Sequence, residues 1–346
     1  MPRRTRDHAL LPKENFNRFI AHLTALEPVH APVPRGNNNY SFAPVRSGEE
    51  IALRYIPTIL PPKKYFLPPR ETLVQYRITE NVSEGVLTYE KMILFGVHTC
   101  DLAGIQCLNI AFSDKPKDIN YLARKNRIAI MGLECNEYCD EFASCRVMNT
   151  FFPAGGYDLF FTELETSFII HVNTPLGGDL IEQTGDTVAA KEEDLTELER
   201  VRERKRTLFR DEVNAKHENL HRLFDDALKH PVWDDLDRRC VSCGNCTNVC
   251  PTCYCFDIRD ESDLTLTSGV RKRVWDSCQN ESFARVASGE NFRATRADRQ
   301  RHRCYRKFKY PFDKYGRYFC TGCGRCSRTC MARINLKETL NSLAGT

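Results

Sequence analysis

The chain has 346 residues, with 50 lysines and arginines, 46 acidic residues, 17 cysteines and a formal net charge of +4. This length allows two or three domains, and the charge is too small to indicate a nucleic-acid partner. No run of about 18 apolar residues predicts a membrane span. The N-terminal stretch lacks the apolar segment of an export signal, so we expect a cytoplasmic protein whose reduced thiols bind metal.

Residues 1–188 are predicted to form a mixed α/β domain. Apolar residues at helical spacing predict a helix over Glu14–Leu26, and a second helix is expected over Leu102–Phe112. Two short apolar runs predict buried strands and two further runs predict a hairpin: Met92–Val97, Arg127–Leu133, and then Tyr157–Leu164 with Ser167–Val172. Neither G-x-G-x-x-G nor G-x4-G-K-S/T occurs, so the pattern proposes no nucleotide-binding loop.

Residues 189–228 are predicted to form a charged helical connector, either one helix or a helix pair. The segment contains no glycine or proline, and its leucines form only a thin apolar stripe. The heptads do not persist, which argues against a coiled coil. Asp194, followed three residues later by Glu197, resembles a capping box at the start of this helix.

Residues 229–346 carry two cysteine runs with the same C-x2-C-x2-C-x3-C spacing. This is the bacterial ferredoxin spacing for a pair of 4Fe–4S clusters, in which the fourth cysteine of each run binds the other cluster. It predicts one cluster held by Cys240, Cys243, Cys246 and Cys330, and a second held by Cys320, Cys323, Cys326 and Cys250. We therefore expect a two-cluster, ferredoxin-like α-helical domain with a long insertion between the runs.

Structural zinc is the alternative for four thiolates, but zinc sites usually pair two C-x2–4-C motifs without a third cysteine in step. Gly244 and Gly324 follow the second cysteine of each run. A tight turn around sulfide leaves no room there for a Cβ atom, so these glycines favour the cluster interpretation.

A basic stretch with interleaved aromatic residues precedes the second run. Nine of its residues are cationic: Arg285, Arg293, Arg296, Arg299, Arg301, Arg303, Arg306, Lys307 and Lys309. Such a stretch can bind single-stranded nucleic acid, but a solvated face or a subunit-docking surface is the favoured interpretation. A third interpretation is that the cations raise the potential of a nearby anionic cluster.

Several segments together resemble one family, the iron–sulfur beta subunits of cytoplasmic sulfhydrogenases, to which the A subunit of anaerobic sulfite reductase is closely related. The segments that carry the resemblance are Pro61–Leu73, Gly96–Ile105, Gly155–Glu163, Cys250–Asp257, Trp275–Cys278, Phe283–Arg293 and Cys320–Cys326. The chain departs from the family pattern at Met331, where proline is usual, and at Ser288 and Glu290, where glycine and histidine are usual.

The resemblance implies a hetero-oligomeric electron-transfer subunit that is not catalytic by itself. It implies two partners: a flavoprotein subunit that oxidises NAD(P)H, and a catalytic subunit of the NiFe hydrogenase, sulfite reductase or heterodisulfide reductase type. The alternatives are an iron–sulfur subunit of a heterodisulfide-reductase-linked complex, or an enzyme with chemistry at an N-terminal cluster.

The N-terminal part offers a candidate third cluster. A Cys-Asp pair and a cysteine after the next strand recur in the resembling family. Here Cys100 and Cys135 each follow a predicted buried strand, where adjacent strands would bring them together, and Cys139 and Cys145 lie on the following loop. The alternative is that these thiols are small buried apolar groups, because their spacing is irregular.

The remaining cysteines carry no ferredoxin spacing. Cys107 lies on a predicted helix and is expected to pack in the core. Cys253, Cys255, Cys278 and Cys304 surround the ferredoxin runs, and we expect them to be buried neighbours of a cluster rather than ligands.

Overall fold

The structure is a computed structural model that describes residues 7–210 and 213–345. The strands within these ranges are β1 (His8–Pro12), β2 (Val29–Pro34), β3 (Tyr40–Val45), β4 (Arg70–Arg77), β5 (Val82–Gly85), β6 (Met92–Val97), β7 (Ile128–Leu133), β8 (Leu159–Glu163), β9 (Ser167–Val172), β10 (Val188–Ala189), β11 (Phe256–Ser262) and β12 (Ser268–Trp275). The helices are α1 (Phe16–Leu26), α2 (Lys63–Phe66), α3 (Thr99–Ser113), α4 (Ile119–Lys125), α5 (Pro175–Thr184), α6 (Glu192–Leu208), α7 (Val232–Arg239), α8 (Asn245–Asn248), α9 (Arg296–Phe308), α10 (Tyr310–Tyr315), α11 (Arg325–Arg328) and α12 (Leu336–Ala344).

A mixed eight-stranded sheet forms the centre of the N-terminal part, in the order β10-β1-β9-β8-β7-β6-β2-β3. The pairs β2/β6, β6/β7 and β7/β8 are parallel, and β8/β9 is the predicted antiparallel hairpin. Every residue of β7 is buried, as its continuous apolar run predicts for a strand covered on both faces. The mixed α/β prediction is therefore confirmed for this part of the chain.

Two hydrophobic cores cover the two faces of this sheet. Alternate residues of β6 point to opposite faces, so Ile93 and Phe95 pack with α1 while Leu94 packs with α3 and α4. Helix α1 begins at Phe16, two residues later than the predicted start at Glu14, because residues 13–15 form a 3-10 turn.

A second, four-stranded antiparallel sheet combines strands of the N-terminal part with strands of the C-terminal part, in the order β11-β12-β4-β5. Strand β12 lies in the insertion between the cysteine runs, and it pairs along its length with β4. The sequence predicted an α-helical domain with a long insertion, and the structure places two strands, β11 and β12, in that insertion. Residues 70–85, which carried no predicted strands, supply the other half of this sheet.

The predicted connector contains helix α6 and, after the two undescribed residues, a 3-10 segment over His217–Phe224. The capping prediction is wrong. The Asp194 carboxylate accepts the Lys191 backbone N–H at 2.7 Å, whereas the Glu197 carboxylate accepts the backbone N–H of Glu165 at 2.8 Å. The N-cap of α6 is thus Lys191, three residues before Asp194.

Lys205 anchors the connector to the large sheet. Its ammonium group is fully buried and lies 3.1 Å from the buried carboxylate of Glu134, the residue that follows β7.

Within the described residues, no helix has the length and apolar character needed to cross a membrane.

Candidate iron–sulfur site

The two cysteine runs fold in the same way. In each run a glycine with positive φ, Gly244 at 77° and Gly324 at 73°, starts a one-turn helix, α8 or α11. A side chain at Gly324 would meet the backbone of Phe142 and Ala143. The tight turn predicted after the second cysteine of each run is confirmed, and it is needed both for backbone conformation and for close packing.

The thiols of the two runs line two small adjacent cavities of about 30 Å³ each. The first is lined by Cys240, Cys243, Cys246, Cys326 and Cys330 and by Cys304 of α9, and the second by Cys250, Cys320, Cys323 and Cys326. Each cavity therefore receives the fourth cysteine of the other run, which is the grouping that crossed ligation requires. The four cysteines predicted for each cluster thus line one cavity and form a donor set that fits a 4Fe–4S cluster, and the ligand assignment itself stays a prediction.

Hydrogen-bond donors point to the sulfur atoms of these cysteines. The side-chain amide of Gln300 donates to Cys240 Sγ at 3.0 Å, and the backbone N–H of Ser242 donates to the same atom at 3.3 Å. The backbone N–H of Ile334 donates to Cys330 Sγ at 3.3 Å. Such donors stabilise the thiolate form that metal binding requires.

Arg303 and Lys307 on α9 line the cavities, and Lys63 on α2 lies near Cys250; each is no more than 5 % exposed. In the described part of the chain, none of them forms an ion pair with a carboxylate; Lys307 Nζ donates to Thr252 Oγ1 at 2.6 Å. Burial alone would lower the pKa of Lys307, but the neighbouring Cys250 and Cys253 thiolates raise it. These cations fit an anionic centre.

This burial changes the interpretation of the basic stretch. Arg299, Arg303 and Lys307 recur on one face of α9 and are buried against the cysteine runs, so the expectation of a solvated or docking face is wrong for them. For Arg303 and Lys307, the structure supports the interpretation that the cations act on a cluster. Because residues four apart lie on the same face of a helix, the spacing of these three cations was the sequence signal that could have indicated a single, inward-facing side.

An ion pair that the sequence did not predict joins the N-terminal and C-terminal parts of the chain beside the second cavity. Arg325 donates to both carboxylate oxygens of Asp101 at 2.6 and 2.7 Å, and its Nε donates to the Thr58 carbonyl at 2.6 Å. Both side chains are almost fully buried. Asp101 follows Cys100 and Arg325 lies between Cys323 and Cys326, so the pair fixes the second run against α3.

The candidate third set is brought together only in part. Cys100, Cys139 and Cys145 all lie close enough to Cys135 for their charges to interact. Cys135 and Cys139 line a cavity of about 220 Å³, but Cys100 and Cys145 do not. Burial raises the pKa of Cys145 to about 12.

The loop that carries Cys139 and Cys145 packs on the second run, because the Ser144 backbone N–H donates to the Gly322 carbonyl at 2.7 Å. Cys107 and Cys304 are buried among core residues, in keeping with the packing expected of Cys107. Cys253, Cys255 and Cys278 instead line a further small cavity.

Fold and site together define an iron–sulfur protein. Residues 239–334 match the family model described as a 4Fe-4S dicluster domain. The chain is also 36% identical over 334 residues to Sulfhydrogenase 2 subunit beta of Pyrococcus furiosus, a match that covers 96% of this chain and 97% of that protein. The chain therefore belongs to the sulfhydrogenase beta-subunit family, and the resemblance seen in the sequence is confirmed. No solved structure matches it significantly.

Proposed function

We propose that this chain is the electron-transfer subunit of a hetero-oligomeric hydrogenase complex. It would relay electrons between a flavoprotein subunit that oxidises NAD(P)H and a catalytic subunit of the hydrogenase or sulfur/sulfite reductase type. Membership of the family supports the class of complex. The observation that carries the relay is the pair of thiol-lined cavities that share Cys326 and Arg303.

Cys240, Cys243, Cys246 and Cys330 would hold one 4Fe–4S cluster, and Cys320, Cys323, Cys326 and Cys250 the other. When bound, such clusters accept and release single electrons. The chain's own residues set the conditions: amide groups hydrogen-bond to sulfur, buried cations balance negative charge, and core packing limits water. Because Arg303 lines both cavities, its charge favours the reduced state at either one.

We extend the proposal to a third cluster held by Cys100, Cys135, Cys139 and Cys145. Cys100 and Cys145 both interact electrostatically with Cys323, so this set lies beside the second cavity. A centre there would give the relay a branch toward the large sheet, whereas the first cavity lies on the side of α7 and α12.

The test is reduction of the isolated, anaerobically purified subunit. Dithionite should bleach its visible absorption, NADH or NADPH alone should not, and addition of the flavoprotein subunit should restore reduction by the nicotinamide. Bleaching by NADPH alone would contradict the relay, because the chain would then contain its own nucleotide site. Co-purification of a nickel hydrogenase, a sirohaem protein or a heterodisulfide reductase would identify the catalytic partner.

A further inference from the structure

A third cavity of about 30 Å³ lies beside the second ferredoxin cavity, and it too is lined by thiols. Cys253, Cys255 and Cys278 line it together with the imidazole of His302. It equals each ferredoxin cavity in volume. None of these four residues belongs to either ferredoxin run, and they come from three separate parts of the chain.

The hairpin of the second sheet brings these thiols together. Strand β11 starts directly after Cys255, and β12 ends three residues before Cys278, with Phe256 opposite Trp275. The backbone N–H of Asp276 donates to the Cys255 carbonyl at 3.0 Å, which closes the base of the hairpin. Cys255 and Cys278 consequently line one cavity, together with Cys253.

Polar groups at the cavity are arranged as they are around the ferredoxin thiols. The Gln279 side-chain amide donates to Cys278 Sγ at 3.5 Å and to the Arg299 carbonyl at 3.1 Å, as Gln300 donates to Cys240. Arg303, Arg306 and Lys307 line the cavity, and no carboxylate among the described residues does so. Arg306 hydrogen-bonds to the Tyr254 hydroxyl rather than pairing with an acid.

We propose that Cys253, Cys255, Cys278 and His302 bind a further iron–sulfur cluster. Thiolate and imidazole are both established ligands of such clusters. The equal cavity size, the sulfur-directed amide and the cations without carboxylate partners are shared with the ferredoxin cavities.

The position of this site gives it a role. Arg303 and Lys307 line both this cavity and the second ferredoxin cavity, and Arg303 also lines the first. The three small cavities therefore meet around one buried guanidinium group. Cys255 and His302 are only half-buried, so a centre here would lie close to the surface that a partner subunit covers. The inference thus rests on the proposed relay and adds a terminus to it.

The experiment compares iron, sulfide and zinc in the unaltered protein and in Cys255→Ala/Cys278→Ala, after anaerobic purification. We expect the variant to lose about four iron and four sulfide per chain, while the electron paramagnetic resonance signals of the two ferredoxin clusters persist. Cys107→Ala, which removes a buried thiol outside every cavity, is the matched control and should lose no iron. Unchanged iron in the double variant, loss of zinc instead of iron, or a Cys255–Cys278 disulfide in the native protein would overturn the proposal.

A second pair of variants tests the imidazole and does not depend on removing thiols. His302→Cys should retain the iron and lower the midpoint potential of one centre, because a thiolate adds negative charge; His302→Ala should make that centre labile. Identical spectra and iron content in both variants would show that His302 is not a ligand. Loss of the ferredoxin signals in Cys240→Ala, with these results unchanged, would separate this site from the relay itself.

Discussion

The ferredoxin cavities and the N-terminal thiol set differ in enclosure and in charge. Each ferredoxin cavity is about 30 Å³ and is lined by at least four thiols; the buried Arg303 lines both cavities, and Lys307 lines the second. The N-terminal cavity is about 220 Å³, is lined by two of the four candidate thiols, and includes Glu134, Glu137 and Glu163. The positive charge around the ferredoxin cavities therefore favours an anionic centre even when no metal is bound.

The N-terminal environment can accept such a centre only because its acids are paired. Burial would raise the pKa of Glu134, but Lys205 and Arg202 outweigh burial and lower it. Glu163 lies 2.7 Å from Lys13. The regularly spaced cysteines of the ferredoxin runs thus lie together with buried cations. At the N-terminal cysteines, the nearby acids are neutralised only by ion pairs with residues of other elements.

The largest expected effect follows from the crossed ligation, in which the fourth cysteine of each run binds the cluster of the other run. Cys250→Ser should lose about four iron and should damage the cluster of Cys320, Cys323 and Cys326 more than the cluster of its own run. Iron analysis and electron paramagnetic resonance measure both. Cys107→Ser provides the control. A loss confined to the cluster of Cys240 would show that the runs do not cross.

The second prediction concerns the N-terminal cysteine set. Cys135 is the thiol with which the other three N-terminal cysteines interact, so Cys135→Ser should lower iron by about four per chain and leave the ferredoxin signals unchanged. Full retention of iron would make the N-terminal set a group of packed thiols, and only the C-terminal region would then bind clusters.

The third prediction concerns the ion pair between the two regions. Asp101→Ala leaves the Arg325 guanidinium buried without its partner and should lower the free energy of unfolding by about 3–5 kcal/mol. Asp235→Ala removes an exposed partner of Arg239 and should cost about 1 kcal/mol or less. Anaerobic urea denaturation measures both variants.

Replacing both members of the buried pair sharpens this prediction. Asp101→Leu/Arg325→Met should be less destabilised than Asp101→Ala, because no uncompensated charge stays in the interior. Equal destabilisation would show that the Arg325 contact to Thr58, rather than the charge pair, stabilises the junction.

The smallest effect is electrostatic. Lys307→Met removes a buried positive charge from the second cavity and should lower the midpoint potential of its cluster by tens of millivolts, since about 1 kcal/mol corresponds to roughly 40 mV for one electron. Lys314→Met, at an exposed lysine on α10, should leave the potential unchanged. Redox titration monitored by electron paramagnetic resonance distinguishes the two, and equal potentials would refute the role assigned to α9.

The sequence alone predicted the elements whose signal is local. Helix α1 follows from apolar spacing, because side-chain direction in a helix repeats every 3.6 residues. The buried strands β6 and β7 and the hairpin of β8 and β9 follow from short apolar runs, and α3 was also predicted from its local sequence. The two ferredoxin runs follow from spacing, because ligands of one cluster must wrap a centre of fixed size. The family followed from these runs and the segments around them.

Only the tertiary structure decided features that depend on residues far apart in the chain. The pairing of β12 with β4, the contact of Arg325 with Asp101, and the meeting of Cys253, Cys255 and Cys278 with His302 leave no periodic trace in the sequence. The cations of α9 look like a solvated face until the cysteine runs are placed against them. Burial of a charge is decided by what packs over it, and that partner can lie anywhere in the chain.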